Sequence, residues 1–559
     1  MRHNTGSTAF LRDINQRSLA AGLGSSDGWR MFVSIFNDVI GPVMRGPSSS
    51  HCAAALRIGR LGLDLMDGEL SDVLVEFDRS GSLPTTHDTQ GSDMGLFGGL
   101  MGWDAADERL PGSMQTLSDS GVKIRIETVD VGDPHPNTYR LTLTNARERH
   151  TLRAISTGGG MMEVLDVDGF AISMFGDYCE TLFWATGDGA ALRAKIASLV
   201  EADTVLLHER GGVQIVEVKA QQFVPDSVIA ELRSVGLVSA VKRLAPVLPV
   251  KSRSTTHVPF TTCAEMLAHD AGKNTPLWKL AVAYECERGG LSEAEVVEMM
   301  TGIVRILRRS IAQGIAGTSY EDRVLGHQSG GFAEQMKAGR LLDAGALNRI
   351  ILYVTALMEV KSSMGVIVAM PTAGACAALP GAVIAMAEEM KLSEEEMAKA
   401  ILASGLIGVF IATAWTFAAE VGGCQAEGGS AAAMAAGALV TLAGGTLAQS
   451  VAAASMAMQS MIGLICDPIA NRVEAPCLGK NVMAAANALS CANMAMAGFD
   501  QVIPFDEVIE TAKQVAKQMP RELRCTALGG LSITPTSLAI EKKLAGKRAA
   551  CGAGSCGCK

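Results

Sequence analysis

The rhythm of hydrophobic and polar positions changes along this chain. Residues 73–78 (Val-Leu-Val-Glu-Phe-Asp) read as a strand, and 122–129 alternate apolar and polar side chains with a period of two, which predicts a strand with one buried face. With a helix-like start near Trp29, the pattern reads as mixed α/β to about Thr157, and Gly158-Gly-Gly160 reads as its close. Between Gly169 and Val250 the expected order is strand (170–175), helix (190–200), strand (204–208), strand (213–219), helix (225–235) and strand (240–244). That βαββαβ order fits a small ferredoxin-like module. After Val250 the chain reads as helical to about Lys543, interrupted by Gly- and Pro-containing turns, and the Gly/Ala/Cys-rich end reads as a flexible tail. The fold class expected is α+β.

Two uncharged stretches stand out in the helical part, 20 residues between Lys399 and Glu420 and 39 between Glu427 and Asp467. Both are long enough to cross a bilayer. Their Ala, Gly, Ser and Met content gives little drive for insertion, and neither an aromatic belt nor a basic flank borders them. Buried central helices are the expectation, because a helix apolar all round must be buried in something.

At 559 residues the chain is too long for one core, and about 100 to 200 residues per domain predicts roughly three units. The net charge is -10 with Lys and Arg scattered, which argues against nucleic acid and for a small-molecule partner. The first 24 residues lack the continuous apolar core of a secretory signal, so a cytoplasmic protein is expected. Its thirteen cysteines then read as thiols or metal ligands rather than a disulfide framework.

Three of those cysteines are flanked by residues that turn the backbone: Cys424 in Glu420-Val-Gly-Gly-Cys-Gln, Cys466 in Cys-Asp-Pro and Cys477 in Ala-Pro-Cys-Leu. Three thiolates with no obvious fourth suggest an open metal site, either zinc or an iron-sulfur cluster whose free iron acts as a Lewis acid. Structural zinc normally closes with a fourth ligand and often pairs cysteines two residues apart, whereas the spacings here are 42 and 11. A non-catalytic zinc protein is the alternative from another class.

Other polar motifs accompany them. In Gly46-Pro-Ser-Ser-Ser-His51, the hydroxyls of Ser48, Ser49 and Ser50 and free amides before a helix form an anion site, and His51 adds a proton-transfer group. The same residues also make a common N-cap. Asp133-Pro-His-Pro-Asn-Thr138 sets His135 and Asn137 among prolines, either as a binding loop or as a rigid surface turn. The small-residue turn from Met370 to Pro380 can bring backbone amides against a ligand, with Cys376 as an inert apolar residue. Glu420 and Glu427, the only acids in a long neutral stretch, read as carboxyls with raised pKa or as helix caps.

Taken in order, Gly46 to His51, His135-Pro-Asn137, Gly158 to Gly160, Pro371-Thr372 with Gly374-Ala375, Ala419 to Gly422 with Cys424-Gln425, Cys466-Asp-Pro468, Pro476-Cys477, Asn481 and Leu528 to Leu531 resemble the iron-sulfur-dependent L-serine dehydratases over about Trp29 to Thr534. The resemblance implies a β-type domain (29–165), an ACT-like module (168–250), a helical α-type catalytic domain (255–543) and a Cys-containing tail (544–559). It implies a [4Fe-4S] cluster on Cys424, Cys466 and Cys477, with Cys558 as a tail ligand and no pyridoxal phosphate. His51 and Ser48 to Ser50 are its candidate proton-transfer groups, and Ser50, His135, Asn137, Thr372 and Gly374 its candidate substrate contacts. The activity implied is L-serine to pyruvate and ammonia, in amino-acid degradation feeding gluconeogenesis, by a homodimer.

This chain departs from that pattern near the expected pocket. Ala373 stands in an asparagine position, Lys361 and Val366 where Asn and Arg are usual, Gln90 in place of a histidine, and Cys52 in place of a threonine. Lost polar readout changes which side chain a pocket accepts. Threonine, cysteine and 3-hydroxyaspartate are therefore alternatives to serine.

Overall fold

The computed structural model describes residues 32–552. Strands fall in two main sheets, and the chain after Val250 is almost wholly helical, so the protein is α+β. A two-residue strand β1 (Val43–Met44) precedes the first sheet. That sheet contains β2 (Asp72–Asp78), β3 (Lys123–Val129), β4 (Thr138–Thr144), β5 (Arg149–Gly158), β6 (Met161–Val167) and β7 (Phe170–Met174) in the order β3-β2-β4-β5-β6-β7. Only β2 and β3 are parallel. Val73 pairs with Leu143 and Val75 with Leu141, which puts an apolar row on one face. This row packs with helices Ala54–Leu65 and Ser92–Leu100 into one core. Those two helices approach so closely that a Cβ on Gly99 would overlap the Leu56 carbonyl oxygen.

Gly158-Gly-Gly160 does not close a domain. It joins β5 to β6 as a hairpin, with φ of +106°, +63° and +89°, and it lies against the helical part: a Cβ on Gly158 would come within 3.0 Å of Ala418. The sheet continues to Met174 because Val167 pairs with Phe170, so the expected boundary at 165–168 falls inside it.

The second sheet comprises β8 (Cys179–Ala185), β9 (Thr204–Arg210), β10 (Val213–Ala220) and β11 (Val238–Leu244) in the order β11-β8-β10-β9, all antiparallel. Leu192 and Ile196 of helix Gly189–Leu199 and Ile229 and Leu232 of helix Asp226–Ser234 pack with Phe183, Val216 and Val218. This is a ferredoxin-like βαββαβ order, but its first strand is β8; the strand expected at 170–175 is β7 of the other sheet. β8 shows no alternation because Cys179 to Phe183 are all buried, Glu180 among them beside Lys219 at 2.9 Å.

In the helical part, β12 (Ile367–Val368) pairs with β1. Gly41 N donates to Ala369 O (2.9 Å) and Ala369 N to Pro42 O (3.1 Å), so the serine turn after β1 and the Met370–Pro380 turn leave from one place. Glu394–Ala414 is the one helix among the described residues long and apolar enough to cross a membrane, and 78% of its most apolar window is buried inside the protein. The 39-residue neutral run is broken by Gly444 and Gly445 into helices Ser430–Leu442 and Leu447–Gln459 of 13 residues each. Each is about 20 Å long, short of the roughly 30 Å hydrocarbon core. The last helix, Pro535–Gly552, extends into the segment expected to be a flexible tail from 544, while Cys556 and Cys558 lie outside the described residues.

Candidate active site

Ser49 to Ala53 form a wide π-helical turn rather than a plain N-cap, and all five residues are buried. A turn of this kind carries extra backbone within one helical repeat and recurs at functional sites. Ser48 Oγ lies 3.0 Å from His51 Nδ1 and 3.1 Å from Ser50 Oγ. Ser50 donates to Glu420 Oε1 at 2.8 Å, and that oxygen is 3.4 Å from His51 Nδ1. On the other side of the ring, Nε2 is 2.8 Å from Thr86 Oγ1, whose own proton goes to Ser82 O at 2.8 Å. Thr86 therefore accepts from Nε2–H, which leaves Nδ1 as the bare nitrogen facing Ser48. Burial holds the imidazole below its ordinary pKa of 6.5, against the pull of Glu420. Glu420 Oε2 is buried without a hydrogen-bond partner among the described residues.

A second layer comes from the helical part. Ser49 Oγ accepts from Ala373 N (3.1 Å), joining the serine turn to the Met370–Pro380 turn. Next along, Thr372 donates to Glu427 Oε1 at 2.7 Å, and a Cβ on Gly374 would stand 2.8 Å from that oxygen. Burial pushes the Glu427 carboxyl up to about 7, against the lowering effect of the Thr372 bond. Glu427 itself sits in another π-helical turn, Gln425–Gly429. Asn481 ties this layer to a cysteine: its amide donates to Gly374 O (2.8 Å) and Cys477 O (2.9 Å), while its oxygen accepts from Ala377 N and Ala378 N. Cys376 is buried and pushed up to about 11 by that burial, consistent with an inert thiol.

Cys424, Cys466 and Cys477 are all buried. Cys477 opens helix Cys477–Met496, where the first-turn amides and helix dipole favour a thiolate against the burial that pushes the thiol well up. Cys466 packs against Cys424 and against Cys525, a fourth buried thiol in the same small apolar cluster. Lys480 Nζ is 3.7 Å from Cys424 Sγ and 2.7 Å from Asp467 Oδ1. Leu531 N donates to the other oxygen of Asp467 (3.0 Å), so the Leu528–Leu531 motif braces the Cys466 loop. Among the described residues, no three His, Cys, Asp or Glu side chains are arranged around a single metal ion. A polynuclear cluster spreads its thiolates further apart than one ion does, and soft buried thiols are the donors it takes.

His135 and Asn137 sit at the edge of the serine network. Ser82, which also accepts from Thr86, donates to Asn137 Oδ1, and Asn137 Nδ2 is buried with no partner among the described residues. His135 Nδ1 accepts from Asn137 N at 3.2 Å, and burial lowers its pKa while the Glu420 charge raises it. Sequence reasoning missed three participants: Cys525, Thr86, and the His87–Asp93 pair at 2.8 Å. Gln90 reaches Asn471 Oδ1 (3.0 Å) and Cys525 Sγ (3.6 Å), and Lys361 is fully buried with Nζ bonded to Val473 O.

The family profile described as serine dehydratase alpha chain matches residues 272–532. Among relatives, the chain is 33% identical over 287 residues to the probable L-serine dehydratase alpha chain of Bacillus subtilis, covering 51% of this chain and 96% of that one. It is equally similar, at 33% over 287 residues, to the L-serine dehydratase alpha chain of Peptoniphilus asaccharolyticus, covering 51% of this chain and 97% of that one. The probable beta chain of the Bacillus subtilis enzyme matches at 32% over 218 residues, covering 38% of this chain and 98% of that one. Fold, site and relatives together define a lyase. The chain belongs to the iron-sulfur-dependent L-serine dehydratase family.

Proposed function

We propose that this protein converts L-serine to pyruvate and ammonia, using a [4Fe-4S] cluster held by Cys424, Cys466 and Cys477. The observation that carries the reading is the buried network of Ser48, Ser50, His51 and Glu420, bonded through Ser49 to the turn that also holds Thr372. The donor set suits the cluster: three buried thiols of the soft type it requires, with the unpartnered Glu420 Oε2 on a carboxylate within electrostatic reach of the Cys525 thiol. Bound there, the cluster supplies Lewis-acid polarisation of the departing hydroxyl.

The chain's own residues supply the proton chemistry. Neutral His51 accepts at Nδ1, Ser48 bridges that nitrogen to the substrate's α-proton, and Thr86 fixes the ring. Loss of the α-proton and the β-hydroxyl leaves an enamine, which becomes an imine and hydrolyses to the oxo acid and ammonia. Glu427, poised near 7, holds a proton for the leaving group. Burial of the whole network excludes bulk water and strengthens each of these interactions.

Serine is the substrate favoured by the relatives' names, and the departures at Ala373 and Gln90 are where another side chain would be admitted. Ala373 is fully buried and offers no polar side chain beside Ser49. An anaerobic ammonia-release assay across serine, threonine, cysteine and 3-hydroxyaspartate tests the reading. Fastest release from serine supports it, preference for another member moves the substrate, and no release from any of the four rejects the reaction class.

A further inference from the structure

Cys525 has the placement of a ligand, although it lies in Leu523-Arg-Cys-Thr, with no turn residue beside it. It is buried and packs in one apolar cluster with Cys424 and Cys466. Its loop is pinned on several sides. Cys466 N donates to Leu523 O (2.9 Å), Arg524 bonds Ala516 O and Met519 O at 3.0 Å each, and Thr526 Oγ1 donates to Arg521 O at 3.2 Å. Gln90 contacts its sulfur from the β-sheet side, and Glu420, with its unpartnered buried oxygen, lies within electrostatic reach. A fourth thiol is thus fixed beside two of the three assigned to the cluster.

We propose that Cys525 is a fourth thiolate ligand of the cluster, occupying the iron that Cys424, Cys466 and Cys477 leave open. This rests on the cluster reading above. On binding, the Cys525 thiol loses its proton and forms one sulfur–iron bond, with no change in oxidation state. A substrate hydroxyl would compete with Cys525 for that iron: the sulfur–iron bond would break as an oxygen–iron bond formed, and the freed thiolate would take back from solvent the proton it had released there on binding.

The test uses the full chain, reconstituted anaerobically with iron and sulfide and then exposed to limited ferricyanide. A cluster iron without a protein thiolate is lost readily, leaving a [3Fe-4S] form with its own EPR signal. The parent is expected to keep four irons per cluster, while Cys525→Ser and Cys525→Ala lose about one and develop the signal. Cys558→Ser is expected to behave as the parent. Facile conversion of the parent, or conversion only in Cys558→Ser, overturns the proposal. If the Cys525 variants do not fold, retention of four irons in both the parent and Cys558→Ser supports the proposal, and ready loss of one iron from either overturns it. A parent that takes up no iron or sulfide overturns the cluster reading and this proposal together, whereas a loaded parent indistinguishable from the Cys525 variants overturns this proposal alone.

Discussion

Replacing Glu427 with Gln separates burial from charge at one position. The carboxyl is raised from 4.5 to about 7, chiefly by desolvation, with the Glu420 charge adding and the Thr372 bond and the Lys361 and Lys480 charges opposing. A raised carboxyl binds its proton more tightly in the folded chain than in the unfolded one. Its contribution to stability is therefore fully present below 4.5 and is lost as pH rises through about 7. A shift of that size corresponds to about 3 kcal/mol. Glutamine keeps an acceptor for Thr372 but carries no charge, so Glu427→Gln is expected to match the parent near pH 4.5 and to be about 3 kcal/mol more stable above pH 7. Urea unfolding of the metal-free protein across that range measures the difference. A difference that stays constant with pH would refute the reasoning, because burial of a neutral group carries no proton linkage.

Four other outcomes follow from the same contacts. Thr86→Val removes the acceptor of His51 Nε2–H and is expected to lower kcat roughly ten- to hundredfold with KM little changed; an unchanged kcat means the ring orientation is irrelevant. Because burial holds His51 below 6.5, the acidic limb of kcat/KM should lie below that pH, and an inflection above it contradicts a neutral His51 base. Gly95→Ala is expected to cost about 3 kcal/mol in chemical unfolding, since the added methyl meets the Cys52 carbonyl oxygen. Cys466→Ala should abolish the iron-sulfur chromophore after anaerobic reconstitution, and full iron and sulfide retention would remove Cys466 from the ligand set.

Much of the fold was legible where burial is one-sided. β2 has alternating buried positions because one face of its sheet packs on helices, β3 alternates only between half-buried and exposed positions because it is the edge strand, and the ferredoxin-like order emerged from three of its four strands. β8 was illegible because it is buried throughout and carries Glu180, whose partner Lys219 is remote in sequence. The cysteines flanked by Gly and Pro could be singled out locally, whereas Cys525 has no such neighbours and is recognised only by its packing with Cys424 and Cys466. Likewise Ser50 and Glu420 are 370 positions apart, a pairing no local pattern encodes. The raised carboxyl expected for the isolated acids was realised at Glu427 through burial.

Serine-dependent pyruvate formation, measured against iron and sulfide content in a series of anaerobically reconstituted samples, tests the central claim most directly. Pyruvate and ammonia should appear in equal amounts at a rate proportional to the cluster loaded on Cys424, Cys466 and Cys477. Turnover independent of iron and sulfide, or full loading without turnover of serine, would contradict it.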